Sequence, residues 1–166
     1  MIQIRRIFRH LLSAHWQVRR AFPRKALLAI EGEIGASEAR HVGELRFVVE
    51  GALSGVPLYK GQSSRERAID VFSELRIWDT DERNGVLIYL LMADRSVEIV
   101  ADRGVNAKAG EAEWTRICGN MERVFREGRY EQGAVEGIRD VSALLAAHFP
   151  ANGATHNELP DKVVVL

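Results

Sequence analysis

Cysteine is nearly absent: Cys118 stands alone among 166 residues. That excludes an internal disulfide and a thiolate-rich zinc centre, and it leaves the redox compartment open. No apolar run approaches the roughly 20 residues that a membrane-spanning helix needs. Arginines interrupt the apolar residues near the N-terminus, so this segment does not read as a secretory signal. The expected location is cytoplasmic, with peripheral contact to the inner face of the membrane as an extension. Acidic residues are missing from positions 1–30, which hold seven Lys/Arg; the remainder holds 16 basic and 23 acidic residues, a net of −7. The formal net charge is therefore zero, with no overall pull toward nucleic acid but a marked asymmetry along the chain. No stretch interleaves aromatic and basic residues as nucleic-acid-binding surfaces do, so no nucleic acid is expected as a partner.

What is present is an ordinary globular composition, 46% hydrophobic and 28% charged, in a length that suits one domain with a sizeable core. Apolar residues at 4, 7, 8, 11, 12 and 16 share one face of a helix, with Arg6, Arg9, Ser13, Gln17 and Arg20 opposite. Residues 1–22 therefore read as a basic amphipathic helix, and Pro23 either ends it or starts the next helix at its first turn. Two readings follow. The apolar stripe packs on the domain, or the helix docks on an anionic membrane or an acidic partner through Arg5, Arg6, Arg9, Arg19 and Arg20. A second helical pattern runs from Leu27 to about His41.

ELRFVVE (44–50) alternates with period two and reads as a half-buried strand. Residues 51–62 read as a Gly-rich loop. Ser63 and Glu66 form a capping box before the stripe Ala68, Ile69, Phe72 and Leu75. After the loop WDTDERNG (78–85), the run GVLIYLLM (85–92) is apolar without alternation, as in a central strand covered on both faces. SVEIVA (96–101) alternates again. Two long helical patterns follow, through Trp114–Phe125 and Val135–Phe149, and Pro150 closes the second. The domain is thus bounded at about 23–150. The tail 151–166 ends in KVVVL, which either adds to a sheet edge or stays mobile.

The triplet Ala-Asp-Arg occurs twice, at 93–95 and 101–103. Two strands joined by about four residues make an antiparallel hairpin, with Asp94 and Arg95 in its turn. The two aspartates then lie roughly 20 Å or more apart and cannot share a ligand. A turn centred on 94–95 puts Asp102 opposite Leu87 and brings Asp79, Asp81, Asn84 and Asp102 to one end of the sheet. The strand 44–50 reaches 85–92 through a helix and should run parallel to it, which puts Glu50 near Asp94.

Asp79-Thr80-Asp81 begins like an EF-hand loop, but the glycine comes one position late and Leu90 stands where the bidentate glutamate belongs. A looser site for Ca²⁺ or Mg²⁺ from Asp79, Asp81, Asn84 and Asp102 suits hard oxygen ligands, with an expected dissociation constant on the order of 10⁻⁴–10⁻³ M. The bland alternative is a solvated loop with Asx turn chemistry. Phosphatase signatures are missing. The Asp-x-Asp pair precedes its strand instead of ending one, Cys118 lies in a helix with no phosphate loop after it, and there is no serine elbow. Metal-assisted hydrolysis is the one phosphatase route left. His10, His15, His41, His148 and His156 show no paired ligand spacing, and Trp78 and Trp114 read as core aromatics.

The run WDTDERNGVLIYLLMADRSVEIVADRGV, then WTRICGNMERVFREGRYEQG from Trp114, then GIRDV and HFP, resembles the TPM domain family over roughly residues 23–150. The resemblance implies an α/β/α sandwich with a small mixed sheet, in agreement with the parallel crossover and antiparallel hairpin above. It also implies the activities suggested for such domains: divalent-cation binding, acid phosphatase activity, and assistance to assembly or repair of membrane complexes. The expectation is an accessory domain that acts with a protein partner at or near the membrane and binds a divalent cation weakly. A metal-dependent acid phosphatase is the alternative.

Overall fold

The computed structural model describes residues 2–13, 15–151, 153 and 158–166, without the side chains of residues 2, 3 and 15. His156 and the side chain of His15 lie outside the described residues. The N-terminal 22 residues form not one helix but two, α1 (Ile2–Leu12) and α2 (His15–Ala21). At the end of α1 the Ser13 hydroxyl donates back to Arg9 O, a side-chain competitor for the next helical turn. Pro23 then occupies the N-cap of α3 (Arg24–Glu38), with φ −63° and extended ψ, where its lack of an N–H costs nothing.

The strands are β1 (Glu44–Glu50), β2 (Gly85–Leu91), β3 (Ser96–Ala101) and β4 (Val164–Val165), in the sheet order β3-β2-β1-β4. β1 pairs parallel with β2, and β2 pairs antiparallel with β3. The connection between β1 and β2 carries α4 (Gly55–Tyr59) and α5 (Ser64–Glu74). The loop expected at 51–62 thus contains a short helix, which buries Leu58. The capping box at Ser63 and Glu66 forms as its spacing requires, with Ser63 N–H donating to Glu66 Oε2 at 2.8 Å and Glu66 N–H to Ser63 Oγ at 3.1 Å.

β1 differs from its expected half-buried state: every residue from Glu44 to Glu50 is buried. The cause lies on both sides of it. Leu45, Phe47 and Val49 join the core beneath α3, α7 (Glu111–Arg126) and α8 (Tyr130–His148), while Val48 joins a second core with Leu58, Val71 and Phe72 under α4 and α5. β2 feeds the same two layers, Val86, Ile88 and Leu90 into the first and Leu87, Tyr89 and Leu91 into the second. α7 and α8 approach so closely that a Cβ on Gly137 would overlap the Met121 thioether. The chain is therefore an α/β/α sandwich around a small mixed sheet.

The outer edges of β1 and β3 are both occupied, and β4 is itself the margin on the β1 side. On the β1 side, KVVVL takes the edge-strand course: β4 runs parallel to β1, pairing Val164 with Val48 and Val165 with Val49. On the β3 side, Glu122 of α7 accepts the Val97 N–H at 3.0 Å and Arg65 of α5 donates to Ile99 O, so side chains occupy edge groups that would otherwise be open to a further strand.

Candidate functional site

Of the sheet's two polar ends, one lies where β1 and β2 begin. The hairpin register is shifted by two residues from expectation. Leu91 pairs with Ser96 and Val86 with Ala101, so the turn is 92–95 and Asp102 falls beside Gly85, its N–H donating to Gly85 O at 2.9 Å. Asp102 also caps a helix the sequence pattern did not reveal, α6 (Arg103–Ala109), its carboxylate accepting from Arg103 N–H at 2.6 Å. The second Ala-Asp-Arg triplet is thus a helix start.

The four residues singled out as a cation site are neighbours along the backbone, with side chains employed in different ways. Asp79 and Asp81 are exposed, and the Asp81 N–H donates to the Glu158 carboxylate at 3.1 Å. Asn84 is buried; its side-chain amide donates to Val42 O at 2.6 Å. Asp102 is turned to its own helix. Among the described residues no group of three or more His, Cys, Asp or Glu is placed to hold a metal ion. A cation here would draw on one or two carboxylates and water, which is a weak set for Ca²⁺.

More carboxylates gather behind this loop, against the C-terminal tail. Glu44 accepts the N–H groups of Glu158 and Leu159, each at 3.1 Å. Arg46 donates to Pro160 O, and Glu31 accepts from Val163 N–H at 3.0 Å. Asp161 lies against α3, where a Cβ on Gly35 would stand 2.9 Å from its Oδ2. Burial, then the charge of Asp161 and a hydrogen bond to it, push the Glu38 carboxyl up to about 8. The folded protein therefore keeps a proton on Glu38 that the unfolded chain gives up near pH 4.5, and its contribution is lost as pH rises through about 8. Amide protection at 158–166, relative to the intrinsic exchange rate at each pH, is expected to fall between pH 6 and pH 9, and Glu38→Gln should remove most of that fall. Equal protection of the tail at both pH values in the parent would show that Glu38 does not hold it.

The other polar end lies at the carboxyl ends of β1 and β2, and it carries the densest set of charged contacts. Asp94, in the hairpin turn, receives Arg6 Nε at 2.9 Å and Arg6 Nη2 at 2.7 Å. Arg9 Nη2 reaches Asp94 Oδ1 at 3.2 Å, and His10 Nε2 lies 3.0 Å from the same oxygen. The Leu53 N–H donates to His10 Nδ1 at 2.9 Å, so the ring proton sits on Nε2 and points at Asp94. Burial opposes the charge on Asp94, but the Arg6 and His10 hydrogen bonds outweigh it and hold its carboxyl below the usual range. Nearby, Glu50 Oε2 accepts from the Tyr89 hydroxyl at 2.7 Å and from Arg67 Nε at 2.9 Å. Burial, then the bond to Glu50, raises the Tyr89 hydroxyl pKa. Burial also pushes the Cys118 thiol up to about 12, the opposite of what a nucleophilic thiolate needs.

α1 docks by its polar side, against the reading in which its apolar stripe packs on the domain. Arg6 and His10 face the domain, while Ile4, Phe8, Leu11 and Leu12, with Trp16 of α2, are 58–75% exposed. Only Ile7 of the α1 stripe packs on the core. Of the five arginines expected on a docking surface, Arg6 is committed to Asp94, Arg9 touches it from an exposed position, and Arg5, Arg19 and Arg20 are exposed. The sequence held a signal for this: Arg6, Arg9 and His10 are spaced three and four apart, which puts them on one helical face able to converge on a single carboxylate. Sequence reasoning placed Glu50 at this end of the sheet but missed Arg67 and Tyr89, whose meeting with it depends on strand register and on the placing of α5.

These features define a class: an α/β/α domain whose small mixed sheet has a charged hairpin turn at one end and a carboxylate-rich loop at the other. The TPM domain model matches residues 21–144, and the chain belongs to that family. Among solved structures it is similar to the BA42 protein of the psychrophilic bacterium Bizionia argentinensis, with 30% identity, a TM-score of 0.73, and coverage of 86% of this chain and 93% of that one. It also shares its fold with the N-terminal domain of a P. gingivalis protein, at 20% identity and a TM-score of 0.59, covering 75% of this chain and 76% of that one. No curated protein gives a match.

Proposed function

We propose that this TPM domain is a non-catalytic accessory module that acts by docking to a partner at or near a membrane. The observation that carries the reading is the state of its reactive side chains. Asp94 and Glu50 are saturated by cations and a phenol, Asp102 caps a helix, and the Cys118 thiol is held protonated. Groups so engaged orient neighbouring structure and are poorly placed to attack a substrate. Weak binding of Ca²⁺ or Mg²⁺ at Asp79, Asp81 and Asp102 belongs to the same proposal, with no step of chemistry assigned to the cation.

The test is turnover of an aryl phosphate, with and without added divalent cation. The expected result is background hydrolysis in both conditions, unchanged by Cys118→Ser. Calcium at millimolar concentration should perturb amides at 79–85 and 101–105 and leave 94–95 untouched. Metal-dependent turnover that is lost in Asp81→Asn or Asp102→Asn would establish a phosphatase and end the accessory reading.

A further inference from the structure

From the outward face of α1 and α2 we infer that the docking partner is an anionic lipid surface, and that the domain meets it with Phe8, Leu11, Leu12 and Trp16 inserted and Arg5, Arg19 and Arg20 at the headgroups; this rests on the accessory reading above. A helix that packs on its own domain normally turns its apolar side inward. Here the polar side is inward, fixed by Arg6, Arg9 and His10 on Asp94, and large apolar side chains stand in solvent. α4 packs beside α1 and adds Val56 and Tyr59, each 62% exposed. An apolar area of this kind marks an interaction site.

Charge chooses the occupant. The segment 1–30 carries seven Lys/Arg and no acid, and Arg5, Arg19 and Arg20 are exposed. A second copy of this face would bring like charges together. A bilayer containing acidic lipid offers negative charge over an apolar interior, which is the pairing that aromatic and leucine side chains flanked by arginine fit. Each such cation strengthens binding to an anionic surface by about fivefold. The Asp94 clamp gives the face its orientation: it holds α1 to the domain by the polar side, so the apolar side is presented without any rearrangement. Among the described residues no helix is long and apolar enough to cross a membrane, and the contact proposed is with the surface.

The experiment is co-sedimentation of the full chain with vesicles of phosphatidylcholine, with and without phosphatidylglycerol. Binding is expected only with the acidic lipid, falling as salt shortens the screening length to about 8 Å and below. The double variant Phe8→Asp/Leu11→Asp should abolish it. Arg19→Glu/Arg20→Glu should weaken it by more than about tenfold. These side chains are exposed, and amide spectra reporting α1 on Asp94 check that each variant keeps its fold. No binding to acidic vesicles with α1 in place, or equal and salt-insensitive binding to neutral ones, overturns the inference. So does self-association that disappears in Phe8→Asp without any vesicle binding, which assigns the face to a second copy. Each of these results leaves the accessory reading standing. Metal-dependent phosphatase turnover would remove that reading whatever the vesicles show.

Discussion

Replacing Asp94 by alanine is expected to lower stability by about 2–3 kcal/mol, a fall in Tm on the order of 5–10 °C for a domain of this size. The carboxylate is the shared acceptor for Arg6, Arg9 and His10, with side-chain exposures of 13% for Asp94, 15% for Arg6 and 0% for His10. Removing it leaves a mostly buried guanidinium with only the Gln62 carbonyl as acceptor and a buried imidazole N–H with none, which costs more than the lost attraction alone. The effect should be local as well as global. Amide exchange in α1 is expected to approach that of an open segment while β2 and β3 stay protected. Arg6→Ala should cost less, and the double variant little more than Asp94→Ala alone, because both remove the same contact. The low pKa of Asp94 adds a pH signature: its contribution is present above the ordinary carboxylate range and is lost as pH falls through the depressed folded value. Unchanged α1 exchange in Asp94→Ala would show that the helix is held by Ile7 and α4 instead.

The second large effect is expected at Gly85. A Cβ there would overlap the carbonyl oxygen of Ile77, a backbone atom at the end of the segment that follows α5. Backbone cannot rotate aside as a side chain can, so Gly85→Ala should cost about 3 kcal/mol or more, at the upper end of overpacking effects. Gly119 is the control. It is exposed on α7, and a Cβ there meets nothing within 4 Å, so Gly119→Ala should stabilise the domain by up to about 1 kcal/mol. Urea unfolding of the two variants measures both. Equal midpoints for Gly85→Ala and the parent would mean that the 77–85 loop shifts freely, and the close approach would then have no structural importance.

Most of the architecture was legible because it is written in local pattern. The apolar run 85–92, the alternation at 96–101 and the Ser63–Glu66 spacing each specify their element from neighbouring residues alone. What was missed depends on distant partners. The burial of β1 required α4 on one face and β4 on its edge, and KVVVL gave no sign of which strand it would join. The α6 cap was hidden because Asp102 looks the same as a strand terminus or a helix start until the chain after it is placed. At the N-terminus, periodicity found the faces of α1 but left open which of them turns toward the domain. Hydropathy alone favours apolar-in, and the half-buried Asp94, with Arg6, Arg9 and His10 drawn to its carboxylate, reverses it. The candidate cation residues were gathered by register, but their side-chain directions came from caps and amide contacts that register does not reveal.

The occupied β3 edge constrains how this domain can be recruited. A partner that extends a sheet by adding a strand needs a row of open amides. Here Val97 N–H is taken by Glu122 and Ile99 O by Arg65 at one margin, while β4 lies along the other. The β3 margin is in effect a capped polymer end, which resists growth with copies of itself and the templating of a passing extended chain. Recognition on this side then falls to helical surfaces, and a change that frees the β3 margin, such as Glu122→Val, would leave the domain prone to stacking on itself there.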